Sequence, residues 1–229
     1  MRVAVVALLG CLLVVPSIVA AATTPRQSLS AILAAARAQH SVHYVADATD
    51  GSFHTVLVSD VGATSGIQQI TYERGGTTGK VTVVVSAGTA YIRGDSFTLR
   101  YFMGFKATPS VTYAGKWIRV PHSDRDYAAI AAAVTLPSTI DELRLAGPLS
   151  FLPQTTLGGQ KVIGIRGKTI SKQPAQAALY ARAQGTPLPV GEVEVFRSAL
   201  SRTRFSGWNE LVHVTVPAGA VAMAATGLE

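Results

Sequence analysis

The chain has 229 residues, a formal net charge of +7 and only 14% charged side chains, against about 25% in an average soluble domain. Its sequence pI near 9.8 suits anionic surfaces such as phospholipid head groups or acidic envelope polymers. The Lys and Arg residues are scattered and not interleaved with aromatics, which argues against a nucleic-acid partner. The single cysteine excludes an intramolecular disulfide, so stability has to come from an apolar core.

The chain opens as a secretory signal peptide does. Arg2 precedes an apolar run over 3–15, a Pro16-Ser17 break and small residues up to Ala22. The run is too short for a membrane span of about 20 residues. An uncleaved anchor is one alternative, and lipid attachment is another, because Leu8-Leu9-Gly10-Cys11 looks like a lipobox. Little chain precedes Cys11, however, and the apolar run continues past it. Cleavage near Ala20-Ala21-Ala22 is therefore expected, giving a signal peptide over 1–22 and one exported domain over 23–229. About 205 residues are enough for a single sizeable core.

Thr24-Pro25-Arg26-Gln27 has the form of a capping box with proline at the first helical position. Leu29, Ile32, Leu33 and Ala36 follow at i, i+3, i+4 and i+7, which predicts an amphipathic helix fading near His40-Ser41. From Val42 the period becomes two. Strands are predicted from there to the Asp50-Gly51 turn, from Phe53 onward, over 67–74, over 80–86 and over 89–93, with glycine-containing turns between them. Asp95 or Ser96 can cap a short helix bearing Phe97, Tyr101, Phe102 and Phe105. Gly115-Lys116-Trp117-Ile118-Arg119-Val120-Pro121 reads as a strand. Ser123 is expected to cap a helix with Tyr127, Ile130, Ala131 and Val134 on one face, and Ser138 another with Ile140, Leu143 and Leu145. Strands return over 161–168, 177–184, 189–196 and 210–216, with 198–204 ambiguous between turn and strand. The tail from Pro217 is weakly patterned.

Catalytic and metal motifs do not assemble. Gly75-Gly76-Thr77-Thr78-Gly79-Lys80-Val81 lacks the first glycine of a phosphate-binding loop and its terminal Ser or Thr, so a strand turn explains it. His43 and His54 could face each other across the first hairpin, but two histidines make a poor zinc site. No serine sits in a nucleophile elbow. Asp124, Asp126, Asp141 and Glu142 fall in the first turns of predicted helices, where the helix dipole favours them. Glu192 and Glu194 share a strand face that reads as solvated. The chain is expected to be non-catalytic and free of cofactor and metal.

What stands out is apolar. Alternation gives each strand one greasy face: Tyr44 with Ala46, Phe53 with Leu57, Ile70 with Tyr72, and Val81 with Val83 and Val85. In the second half these are Ile163 with Ile165, Val193 with Val195, and Val212 with Val214. Helical Leu33, Phe97, Phe102, Tyr127, Ile130 and Leu143 stand against them. The fold expected is α+β, a strongly curved antiparallel half-barrel covered by a few short helices. A curved sheet over short helices leaves space between its layers, and apolar pockets with few polar groups are what ligand sites look like. The other outcome is that these same side chains simply form a packed core.

The layout of helix, meander, aromatic helix, strand, paired helices and second meander resembles the LolA-like lipoprotein carriers. In arrangement it is similar to the mycobacterial LppX/LprG lipoproteins. The segments carrying the resemblance are residues 27–37, Thr89-Ala90-Tyr91-Ile92-Arg93-Gly94 with Phe97, Gly115-Lys116-Trp117-Ile118, and Leu157-Gly158-Gly159-Gln160-Lys161-Val162. A well-placed lipid-attachment cysteine is missing. The resemblance implies a monomeric envelope carrier holding acyl chains of a lipid or lipoglycan, working at a membrane surface with an envelope transporter as partner. The cavity would be lined by the apolar residues named above, with Arg93, Arg100 and Lys106 as head-group contacts or as ordinary solvated charges. A protein-interaction or sensor module with a packed interior is the alternative.

Overall fold

Local signals place the first elements as the sequence predicts. Thr24 accepts from the Gln27 amide while the Gln27 side chain accepts from the Thr24 amide, satisfying orphan donors at the start of α1 (Pro25–Arg37). Leu29, Ile32, Leu33 and Ala36 are all buried, and each of the larger side chains contributes roughly 1.5–3 kcal/mol. The computed structural model describes residues 23–171 and 173–222. The expected signal peptide over 1–22, with Cys11, lies outside the described residues.

A meander follows: β1 (Ser41–Asp50), β2 (Phe53–Gly62), β3 (Gly66–Arg74), β4 (Thr77–Ser86) and β5 (Thr89–Gly94). Asp50 stands opposite Phe53, so Gly51-Ser52 is a tight turn and Gly51 supplies the left-handed φ it needs. The Gly75-Gly76 pair is likewise a hairpin turn between β3 and β4. Asp95 caps α2 (Ser96–Tyr101) by accepting from the Thr98 amide at 2.8 Å. Then come α3 (Ala107–Thr112), β6 (Ile118–Pro121), α4 (Tyr127–Ile130) and α5 (Leu136–Glu142).

Two predicted caps shift. The helix expected after Ser123 shrinks to the single turn α4, preceded by Asp126 rather than capped by Ser123. The N-cap of α5 is Thr135, with Ser138 as its reciprocal partner.

The second meander comprises β7 (Leu145–Phe151), β8 (Thr155–Leu157), β9 (Gln160–Thr169), β10 (Gln176–Arg182), β11 (Pro189–Phe196) and β12 (Ala199–Ser206), and β13 (Val221–Ala222) comes last. The ambiguous stretch is thus a strand, β12. Residues 210–216, predicted as a strand, are irregular, because β12 already occupies the free edge of β1.

Among the described residues the strands form one 13-stranded sheet in the order β13-β6-β5-β4-β3-β2-β1-β12-β11-β10-β9-β7, with β8 on β9. Every pairing is antiparallel except β13 on β6. The sheet curves without closing, so the expected half-barrel of strands with a few short helices is what the chain forms.

Helices cover the concave face in two places. Under α1 and α5 lies one core, with Ile32, Val42, Leu143, Ile165 and Leu179. Under α2 and α4 lies the other, with Val81, Val83, Ile92, Leu99 and Ile118. A buried polar seam runs between them. The Tyr44 hydroxyl donates to the Ala133 carbonyl, and Gln68 Nε2 donates to both Tyr44 (2.8 Å) and Ser59 (3.1 Å). At Gly66 the loop before α5 comes so close that a Cβ would lie 2.1 Å from the Val134 carbonyl oxygen, so only glycine fits there.

Candidate functional site: an uncovered strip on the concave face

Ladder registers define the concave floor. Tyr72, Thr55, Ala48, Ser201 and Glu194 stand opposite one another strand by strand. Ile70, Leu57, Ala46, Thr203 and Glu192 form the next row. Along β2, β1 and β12 the floor residues Thr55, Leu57, Ala46, Ala48, Ser201 and Thr203 stay partly exposed. The helical covers flank this strip and leave it open. At one end a cavity of about 140 Å³ lies between Ala48, Phe53, Thr55, Glu194, Phe196 and Ser201.

The strip has unlike walls. One is aromatic. Tyr72 meets Phe53, Phe97 and Phe102 at ring separations of 6.2, 5.7 and 5.4 Å, and Phe97 meets the exposed Tyr101 at 5.2 Å. Tilted ring contacts of this kind are favourable beyond area burial. Arg74 lies over both Phe53 (5.8 Å) and Tyr101 (5.4 Å), and Arg100 over Tyr101 (5.1 Å).

The other wall is acidic. Glu192 is only 7% exposed and its Oε1 has no hydrogen-bond partner among the described residues. Burial first, and then the charges of Glu194 and Glu142, push its carboxyl up to about 8. Burial also raises Glu194. Glu142 is raised by burial and by Glu194, but more than a third of it meets solvent, so water screens part of that effect. It stands in the last turn of α5, where the helix dipole opposes a negative charge.

This corrects two expectations. Asp141 and Glu142 end α5 instead of opening it, Asp124 and Asp126 lie before the first turn of α4, and the face shared by Glu192 and Glu194 is the inward one. Val193 and Val195, expected on the cavity wall, consequently point the other way. They line a convex groove of about 560 Å³ beside Leu152, Arg166 and Tyr180.

The remaining expected lining residues divide by depth. Leu33, Tyr44, Ile70, Val81, Val83, Val85, Leu143 and Ile165 are buried inside the two cores, and Tyr72 is buried within the aromatic wall. Phe53, Leu57, Phe97, Phe102, Tyr127, Ile130 and Ile163 are partly exposed. The expected head-group cations separate: Arg93 is on the convex face over Trp117 at 5.9 Å, while Arg100 is beside the aromatic wall and Lys106 is exposed at the start of α3. Arg74 was missed, although its place two residues after Tyr72 on the same strand face could have found it.

His43 and His54 do not converge. His43 bonds Asp60 at 2.7 Å and His54 lies 3.3 Å from Asp47. Among the described residues no group of three His, Cys, Asp or Glu side chains could hold a metal ion. No described helix is long and apolar enough to cross a membrane.

Known structures share this architecture. LprF from Mycobacterium bovis superposes with a TM-score of 0.55 at 14% identity, over 85% of this chain and 97% of that one. The fold is that of the LppX-type lipoproteins. Lipoprotein LppX from Mycobacterium tuberculosis itself gives a TM-score of 0.53 at 16% identity, over 83% of this chain and 98% of its own. No protein-family model and no curated protein matches the chain. The LppX-type likeness is therefore one of fold, and the walls of the strip have to be read from this chain's own residues.

Proposed function

We propose that the protein is an exported, non-catalytic lipid carrier of the cell envelope that holds the acyl chains of a lipid or lipoglycan on its concave face. The observation carrying this reading is the uncovered strip. An LppX-type sheet leaves Leu57, Phe53 and a floor of Ala and Thr side chains between two helical covers, beside an aromatic wall. Each methylene laid there adds roughly 0.8 kcal/mol, so binding needs no reactive group. The cavity of about 140 Å³ is below the roughly 300–1,000 Å³ of ordinary ligand pockets. In this reading the lipid therefore lies along the open strip, and the cavity takes only one end of it.

In this reading residues 1–22 are the signal peptide and the mature protein is a monomer. It works at a membrane surface, handing lipid to a transporter, and is soluble rather than tethered through Cys11. N-terminal sequencing of the mature protein tests the cleavage site.

Native mass spectrometry of protein taken from its own envelope tests the carrier function. Added lipid mass that organic solvent removes is the expected result, and Leu57→Asn should reduce it without unfolding the chain. A clean apo mass from folded protein sinks the carrier reading. It would favour an interaction module instead, for which the full packing of Val83, Ile92 and Ile165 already speaks.

A further inference from the structure

A buried carboxyl without a partner is costly, and Glu192 places one in the wall of the strip. Its Oε1 is shielded from solvent and meets no donor among the described residues, although unsatisfied buried polar groups are rare in folded proteins. The register fixes its direction: Glu192 is opposite Thr203 and Leu179, and Glu194 is opposite Ser201 and Ala177, all on the concave face. Glu194 lines the cavity, with Glu192 one pleat deeper and Glu142 beside them at the end of α5.

Such a cluster makes an anion unwelcome. It also does not form a metal site, since its oxygens do not converge on one. Protonated, each carboxyl offers one O–H donor and one carbonyl acceptor, which is the complement of a hydroxyl group. Burial and mutual repulsion both favour that protonated form.

The aromatic wall lies four strand spacings away along the row Tyr72, Thr55, Ala48, Ser201, Glu194. That is about 19 Å along the sheet, a span that a long acyl chain covers. The small side chains between leave room for one.

We propose that Glu192, with Glu194 and Glu142, forms a polar subsite that takes a hydroxyl group of a neutral acyl lipid, the chain running across the strip to the Phe53–Tyr72 wall. This rests on the lipid-carrier reading and adds the ligand's class: an uncharged acylated alcohol or polyol, not a free fatty acid and not an amine.

The test is displacement of the neutral fluorophore N-phenyl-1-naphthylamine from the full mature protein at neutral pH. The competitors are monopalmitoylglycerol, palmitate and hexadecylamine. Monopalmitoylglycerol should compete at about tenfold lower concentration than palmitate, the scale of one good hydrogen bond. Glu192→Leu should erase that advantage while fluorophore binding persists, and Glu192→Gln, which still donates and accepts, should keep it. A Glu192→Leu protein with an unchanged preference overturns the proposal. So does hexadecylamine competing best and losing that rank in Glu192→Gln, which would make the cluster an ionised cation site. If Glu192→Leu does not fold, Glu192→Gln alone decides between hydroxyl and amine. Failure of wild type to bind fluorophore or any competitor brings down the carrier reading itself, an outcome distinct from the others.

Discussion

Glu192→Gln should make this protein more stable, and increasingly so as pH rises. In the unfolded chain the carboxyl titrates at its ordinary 4.5, whereas in the fold it titrates at about 8. The folded state therefore binds the proton more tightly, and stability falls as pH climbs between those values. The groups facing it reinforce the sign, since Glu194 on β11 and Glu142 on α5 are both acidic. At about 1.4 kcal/mol per pH unit, wild type loses about 3 kcal/mol by pH 7 and about 5 kcal/mol once the pH passes 8. Glutamine carries no titrating proton and loses nothing. Urea denaturation of both proteins at several pH values from about 4.5 to about 8.5 checks this. The gain for Glu192→Gln should be near zero at the acid end and grow steadily. A gain independent of pH, or a loss growing with pH, would refute the reasoning, since either means that Glu192 is solvated or ion-paired in the fold.

Other expectations follow from the buried seam and the close approach beside it. Tyr44→Phe removes the donor to the Ala133 carbonyl and the acceptor for Gln68. It should cost about 1–3 kcal/mol in denaturant unfolding, with no change in cooperativity slope. Gly66→Ala puts a methyl 2.1 Å from the Val134 carbonyl oxygen. It should cost about 3 kcal/mol and, by shifting the loop that Tyr44 anchors, raise amide exchange over residues 131–135. No change in either readout would mean that the loop does not rest on β3. Thr24→Ala deletes the α1 capping box and should lower stability by about 1 kcal/mol, measurable as a small drop in melting temperature.

The parts of the fold legible in the sequence are those set by neighbours along the chain. The Thr24 capping box, the Leu29–Ala36 stripe and the Gly51 and Gly75-Gly76 turns need nothing distant to make sense, and all formed where expected. The misplaced strand had a different cause. Residues 210–216 alternate as well as residues 199–206 do, and only the long-range contact with β1 separates them.

At β11 the sequence pattern points the wrong face inward, on the rule that greasy side chains face the interior. In the packed cores that holds, as Val81 and Ile165 show. At the strip the floor is small and polar, so Ser201, Thr203, Glu192 and Glu194 face in while Val193 and Val195 face out. Periodicity reports that a strand has two unlike faces. It does not say which one meets solvent when the interior is itself open.

The β1–β12 ladder bears on how the molecule assembles. Most strands pair with a sequence neighbour and can zip up locally, but Tyr44 meets Phe205 across about 160 residues, and a loop of that length is slow to close. The two halves of the sheet thus meet at a definite address along this ladder, and α1 packing against α5 and β7 holds them together as well. Ala46, Ala48, Ser201 and Thr203 are the side chains that flank that join on its inner side. A molecule lying across them bridges both halves, so occupancy and the lifetime of the folded chain rise together.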